Sequence, residues 1–245
     1  MKYCIFGDIH SNLESLTVLM DYCKSQNITD FICCGDIVGY GPSPVECIEK
    51  LFSLPGIRFV MGNHDAGVCG KLELSWFNDK ARESLLYTKS VVNLEQVELL
   101  VSLPEKLAVN NFIVVHGSPR MFLKEYLIAE KNIKENIDYF NSQICFVGHT
   151  HIPFVFTEEK NKKSRLDGIS GNSAVILEPG NRYIINIGSV GQPRDNDPKL
   201  CFVIYDTDRG LINFMRLKYN IIQTQQKMKL LNFSQFNIDR LESGV

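Results

Sequence analysis

A layered α/β fold built on two sheets is what the amino-acid order predicts, and three observations predict it. Short apolar, β-branched runs alternate with helix-length amphipathic stretches as far as His151. From Phe154 onward the runs follow one another closely, with turns rather than helices between most of them. Most runs in the first part end in glycine followed by a carboxylate, amide or imidazole side chain. The first pattern is that of βαβ units, the second that of a mostly antiparallel sheet expected to pack on the first.

Lys2 to Phe6 is apolar and stops at Gly7, a buried strand. Asn12 caps a helix running through Cys23, with Leu13, Leu16, Leu19 and Met20 on one face. Asp30 to Cys34 is a second strand, closed by Gly35-Asp36. Pro42-Ser43-Pro44 opens a helix over Val45 to Leu54. Gly56 starts a third strand, Ile57 to Met61. Residues 66–104 read as helical, with helices over Asp79–Thr88 and Leu94–Leu103, the latter ended by Pro104; the segment is a candidate cap over a site. Leu107 to Val115 is a strand pair, Ile133 to Phe140 a helix, and Ile144 to Val147 a strand. Strands follow at 154–156, 174–177, 183–187, 200–205 and 211–217, with a polar hairpin loop over 158–172. Ile221 to Leu231 is a last helix, and the tail beyond Asn232 carries no clear pattern. No repeat or linker interrupts this order, so a single domain over residues 1–245 is expected.

Composition narrows the class. A chain of 245 residues that is 44% hydrophobic and 22% charged can bury one large core. A formal net charge of −2 offers no electrostatic case for nucleic acid or a membrane surface. Lys160, Lys162, Lys163 and Arg165 are interrupted by no partner motif and follow Glu158 and Glu159, as in a solvated loop. The eight cysteines form no C-x-x-C pair, and Cys4, Cys33, Cys34, Cys145 and Cys201 lie in or beside apolar runs, so buried thiols are expected. No apolar run reaches the ~20 residues of a membrane span. With functional residues beginning at Asp8 and no leader-like segment before it, a cytoplasmic location is expected.

All five histidines fall inside short polar motifs. They are Asp8-Ile9-His10, Gly62-Asn63-His64-Asp65, His116-Gly117 and Gly148-His149-Thr150-His151; Gly35-Asp36 repeats the glycine–carboxylate pattern without a histidine. Imidazole, carboxylate and amide groups collected at strand ends make a metal site. Asp8 and His10 can turn toward one ion, Asp36 is a natural bridge between two, and Asn63, His116, His149 and His151 supply neutral donors. Two divalent cations against two aspartates leave charge for a hydroxide and a phosphate ester. A metal-bound water falls to a pKa near ~7 in such a setting and can attack phosphorus. His64 can protonate a leaving oxygen or stabilise phosphoryl charge, and Asp65 can orient a neighbouring imidazole. Mixed nitrogen and oxygen donors suit Mn²⁺, Fe²⁺/Fe³⁺, Zn²⁺ or Ni²⁺.

In order and spacing these motifs resemble the calcineurin-like metallophosphoesterase superfamily, and Asn186 to Arg194 resembles the closing motif of its small bacterial members. The resemblance implies a four-layer α/β-β/α sandwich of two packed mixed sheets flanked by helices. It implies one metal on Asp8, His10, Asp36 and His151, the other on Asp36, Asn63, His116 and His149, with His64 as the catalytic non-ligand. One departure stands out. The family's protein phosphatases continue the Gly-Asp motif to Asp-Arg-Gly, whose arginine grips phosphate; here Gly39-Tyr40 stands in that place. Tyr40 is therefore a candidate to stack on a base or donate a hydrogen bond, and Arg120 and Arg194 are candidates for the phosphate. Pairing of Arg194 with Asp195 or Asp197 is the competing expectation.

The reading that results is a metal-dependent phosphoesterase acting on a soluble phosphodiester or nucleotide. A phosphomonoesterase or a dinucleoside polyphosphate hydrolase is the alternative within enzymes. A non-catalytic metal-binding scaffold is the alternative outside them, and His64 beside a full ligand set argues against it. The expected partner is a small phosphate ester.

Overall fold

The computed structural model describes all 245 residues. The first half runs β1 (Lys2–Phe6), α1 (Leu13–Ser25), β2 (Asp30–Cys33), α2 (Pro44–Phe52), β3 (Arg58–Phe59), α3 (Asn63–Val68), α4 (Asp79–Val91), α5 (Leu94–Val101), β4 (Lys106–Val109) and β5 (Phe112–Val115). The second runs α6 (Glu130–Glu135), β6 (Ile144–Val147), β7 (Phe154–Glu158), β8 (Ser164–Gly168), β9 (Ser173–Ile176), β10 (Arg182–Asn186), β11 (Leu200–Asp206), β12 (Leu211–Leu217), α7 (Ile221–Leu230) and α8 (Gln235–Ser243).

The strands form two mixed six-stranded sheets, ordered β3-β2-β1-β11-β12-β9 and β4-β5-β6-β10-β7-β8. The alternation within each strand explains the stacking. Tyr3 and Ile5 of β1, Phe112 and Val114 of β5, Phe146 of β6, Ile185 of β10 and Val203 and Tyr205 of β11 share one apolar cluster between the sheets. The intervening Cys4, Phe6, Phe202 and Ile204 join a second cluster with Leu16 and Leu19 of α1 and Ile48 and Leu51 of α2. Ile113, Cys145, Val147 and Ile184 pack on the far side with Ile133 of α6. Strands buried on both faces read as unbroken apolar runs, which is why they stood out. The layers are helix, sheet, sheet, helix. No helix is long and apolar enough to cross a membrane.

The expectation that the second half forms its own sheet is corrected: each sheet draws strands from both halves. β1 is buried on both faces and needs a partner on the edge away from β2. The fully buried β11 takes that edge, antiparallel, with Tyr3 opposite Tyr205. Within the polar hairpin of 158–172 lies the edge strand β8, paired with β7. Leu166 is its only large apolar residue, so periodicity did not reveal it. The third strand is shorter than expected, and the helix expected over 133–140 is α6 followed by a 3₁₀ turn at Ile137–Tyr139. The tail beyond Asn232 contains α8, seated by Ile238 and Leu241 against Met228 of α7 and Phe233. Within residues 66–104, Ala66, Phe77, Ala81, Leu85 and Leu100 belong to the same apolar cluster as α1 and α2. All eight cysteines are uncrosslinked, and all except Cys69 are buried, including the five expected to be.

Candidate metal centre

Every polar motif lies at the carboxyl end of a strand in a parallel pair. Asp8 and His10 follow β1, Asp36 follows β2, Asn63 and His64 follow β3, His116 follows β5, and His149 and His151 follow β6. Open α/β sheets gather ligands at that edge. The backbone there is unusual. Asp8, His10, Asp36, Tyr40, His149 and His151 all have φ between 48° and 65°, the left-handed region that non-glycine residues avoid. Such strain persists only where surrounding structure over-determines it, and it concentrates at functional sites. Gly62 is needed because a Cβ there would strike Asp36, and Gly148 because a Cβ would crowd the Asp8 carboxylate.

The side chains converge in two groups that share Asp36. One potential ligand atom from each of Asp8, His10, Asp36 and His151 lies within 4.8 Å of the others, and the same holds for Asp36, His116 and His149. Asn63 joins the second group, its Oδ1 2.9 Å from His116 Nε2. All seven residues are buried.

Proton accounting tests whether cations fit. The Nδ1–H of His10 donates to the carbonyl of Val38 at 3.1 Å, that of His116 to Cys34 at 2.9 Å, and that of His151 to Gln192 at 2.5 Å. A ring whose Nδ1 carries the proton presents a lone pair at Nε2. Yet His10 Nε2 faces His151 Nε2 at 3.1 Å. His116 Nε2 faces His149 Nδ1 at 3.1 Å and the Asp36 carboxylate at 3.3 Å. Lone pairs turned on one another in a buried site call for cations between them, and the backbone bonds are the outer partners that metal-binding imidazoles use. Without metal a proton must stand in. Although burial opposes it, the charges of Asp36 and Asp8 raise His116 to about 9. Burial likewise opposes ionisation of Asp36, and His116, His64 and His10 outweigh it, holding this carboxyl well below the usual range.

The Asn186–Arg194 segment ties the motifs together. Asn186 Nδ2 donates to the Gly148 carbonyl at 2.6 Å and to Thr150 Oγ1 at 2.9 Å. Ser189 Oγ donates to the Asp8 carbonyl at 2.8 Å. Gln192 supplies the carbonyl that holds His151.

His64 lies beside this cluster rather than within it. Its backbone N–H donates to Asp36 Oδ1 at 2.8 Å. Its ring is boxed by His10 (4.7 Å between centroids), Tyr40 (4.6 Å) and Phe77 (5.3 Å). Burial pushes it down to about 4 despite the nearby Asp36 carboxylate. The imidazole is therefore neutral at pH 7.

Two expectations are corrected. Asp65 orients no imidazole. Its carboxylate accepts the backbone N–H groups of Ile37 (2.9 Å), Val38 (3.2 Å) and Gly62 (3.0 Å), joining the Asp36 loop to the start of α3. Burial and Asp36 push its carboxyl up to about 7, against the pull of these donors. It is a positioning residue. Asp65→Ala is expected to cost about 3 kcal/mol or more, because each orphaned buried N–H costs about 1–3 kcal/mol. Asp65→Asn, which keeps an acceptor for Ile37 and Val38, should recover part of it. Urea unfolding of the metal-free protein measures both, and wild-type stability in Asp65→Ala would refute the role.

Arg120 is the second. Its guanidinium is taken by Glu125 and, at 3.4 Å, by Glu135, so its charge is already neutralised. Arg194 has neither of the pairings weighed for it. Asp195 is held by Arg216 and Asp197 by Lys199, while Arg194 Nη2 donates to Gln192 Oε1 at 2.9 Å. Tyr40 is at the site; the residue is 6% exposed, and its ring packs against His10, His64 and the Arg194 guanidinium. Two aromatic neighbours gave no signal in the sequence: Phe77 on His64, and Tyr126, whose ring lies 3.8 Å from that of His149.

A ligand-rich edge between two packed mixed sheets defines the class, the metallophosphoesterases. The model of the calcineurin-like phosphoesterase superfamily domain matches residues 1–210. An uncharacterised protein of Methanocaldococcus jannaschii is 37% identical over 229 residues, spanning 91% of this chain and 90% of its own length. The crystal structure of a metallophosphoesterase from Sphaerobacter thermophilus superposes with TM-score 0.89 at 35% identity, covering 100% of both chains. A hypothetical protein from Pyrococcus horikoshii has the same fold at 19% identity, with TM-score 0.76 over 100% of this chain and 98% of its own. The chain belongs to the calcineurin-like phosphoesterase superfamily, and with it to the metal-dependent hydrolases of phosphoric esters.

Proposed function

We propose that the protein hydrolyses a soluble phosphodiester or nucleotide at a centre of two divalent metal ions. The observation that carries this reading is the pair of acceptor clusters joined through Asp36, with neutral His64 alongside. Asp8, His10, Asp36 and His151 would hold one ion, and Asp36, Asn63, His116 and His149 the other. When bound, two such ions supply a nucleophile at neutral pH and a clamp on phosphoryl oxygens. The chain's own residues do the rest. The backbone carbonyls of Val38, Cys34 and Gln192 keep three imidazoles in the tautomer that presents Nε2. His64 donates an N–H to a phosphoryl or leaving oxygen, with Phe77 and Tyr40 fixing its ring. Arg194, which has no carboxylate partner, offers guanidinium donors to substrate phosphate beside the centre.

Steady-state hydrolysis of a panel of mono-, di- and polyphosphate esters, with Mn²⁺, Fe²⁺, Zn²⁺ or Ni²⁺ added in turn, tests this. The expected result is metal-dependent turnover with the highest kcat/KM on a diester or nucleotide. No hydrolysis of any ester by metal-loaded protein would overturn it in favour of a scaffold. On a diester, Arg194→Ala should lower kcat/KM by about tenfold or more at unchanged metal content, and Arg120→Ala by far less. Equal losses in the two would remove the special role of Arg194.

A further inference from the structure

A cleft of about 490 Å³ opens beside the metal ligands, and its walls include Tyr40, Lys80, Tyr126, Arg194, Phe236 and Arg240. Two of these walls also touch the centre: Tyr40 packs on His10 and His64, and Tyr126 on His149. Arg194 and Arg240 both approach the Tyr40 ring, their guanidinium carbons 5.6 and 5.8 Å from its centroid. Arg240 comes from α8, outside the residues that the superfamily domain matches. The placement is built. The N–H of Asn196, two residues after Arg194, donates to the Gly244 carbonyl at 2.8 Å, and Asn237 Nδ2 reaches the Lys80 carbonyl at 3.4 Å.

What Arg194 lacks is a carboxylate partner. The Arg194 guanidinium meets the Gln192 side-chain oxygen and the Tyr126 hydroxyl, both neutral, and its Nε is buried without a partner. Arg240 Nε donates at 2.6 Å to a main-chain oxygen of Val245, the last residue of the chain, and so to its terminal carboxylate. Asp79, which also lines the cleft, pairs with Arg82, and the other nearby carboxylates are engaged elsewhere: Asp195 with Arg216, Asp197 with Lys199, and Asp239 with the Gln235 amide. Burial and the charge of Arg194 lower Arg240 to about 10. Two guanidiniums held over one ring repel each other, and an anion bound between them would relieve that repulsion.

We propose that Arg194 and Arg240 bind a second phosphoryl group of the substrate, so that the protein selects esters carrying two phosphoryl groups, one at the metal ligands and one across Tyr40. This rests on the phosphoesterase reading above. Guanidiniums match phosphoryl oxygens in pairs, and the cleft has room for the sugar or phosphate unit between the two groups. The chemistry is shared by an oligophosphate chain and by a nucleotide with two separate phosphates.

Calorimetric binding to Mn²⁺-loaded protein tests the proposal, using AMP, ADP and adenosine 3′,5′-bisphosphate, with each sample checked for intact nucleotide afterwards. The base is common to all three and cancels. Wild-type protein should bind ADP or the 3′,5′-bisphosphate about tenfold or more tightly than AMP. Preference for ADP assigns an oligophosphate chain, and preference for the 3′,5′-bisphosphate a ribose-spaced pair. Arg240→Gln should collapse that ratio to within about threefold, and Arg240→Lys should restore part of it. No preference in wild-type protein overturns the proposal without recourse to any variant, as does a preference that survives Arg240→Gln. Tight bisphosphate binding through Arg240 with no hydrolysis in the ester panel would sink the proposed function and leave this subsite standing. Hydrolysis without the preference does the reverse.

Discussion

Asp36→Ala is expected to strip the protein of both metals and reduce ester hydrolysis to background. Asp36 is the one residue present in both acceptor groups, so its loss removes a ligand from each. Two divalent ions would bring four positive charges, against which the centre sets the carboxylates of Asp8 and Asp36. Removing one leaves a single anion in a buried site, where uncompensated charge is most costly. The substitution also frees the His64 N–H that Asp36 Oδ1 accepts. Asp36→Asn separates these effects, since the amide oxygen can keep that bond while the charge is gone. It should restore folding but not metal. Elemental analysis is the deciding measurement. A thermal scan gives a second readout, because metal at a hundredfold excess over its Kd stabilises the folded protein by about 2.7 kcal/mol, and that increment should vanish. Two ions bound at wild-type occupancy would remove Asp36 from the bridge.

His64→Ala should do the opposite: keep both metals and slow catalysis by about 10²-fold or more. The backbone N–H of residue 64 remains to hold Asp36, and no ligand nitrogen is lost. What disappears is a neutral imidazole, pushed down to about 4 by burial and fixed between Phe77, Tyr40 and His10. A ring that is neutral at working pH contributes as an N–H donor to developing charge, so kcat should fall more than KM rises. His64→Gln, which retains an N–H donor, should recover part of the rate. Loss of a metal in His64→Ala would make this residue a ligand instead.

The cluster was legible because each of its parts is local. A buried strand reads as an apolar run, the residues just past its end point to one edge, and Asp8-Ile9-His10 or Gly148-His149-Thr150-His151 needs nothing distant to be noticed. Periodicity likewise found α1 and α2, whose inner faces carry Leu16, Leu19, Ile48 and Leu51. It passed over β8, an edge strand with little to bury, and α8, which seats only Ile238 and Leu241.

The amino-acid order by itself determined the layered α/β class, the set of ligand-type residues and the absence of the phosphatase arginine. Tertiary structure alone decided the rest. Which strand covers the second edge of β1 depends on matching two buried faces across the chain, information that no local window holds. Asp65 looked like a partner for imidazole because it follows His64, and its three backbone donors come from the folded approach of the Asp36 loop. Arg120 and Arg194 were equals as loop arginines until packing set Glu125 against one and left the other without a carboxylate. Arg240 reaches the cleft only because α8 docks on α7 and on the loop after Arg194. Strand ends announce their chemistry in sequence, whereas contacts between distant segments exist only once burial has brought those segments together.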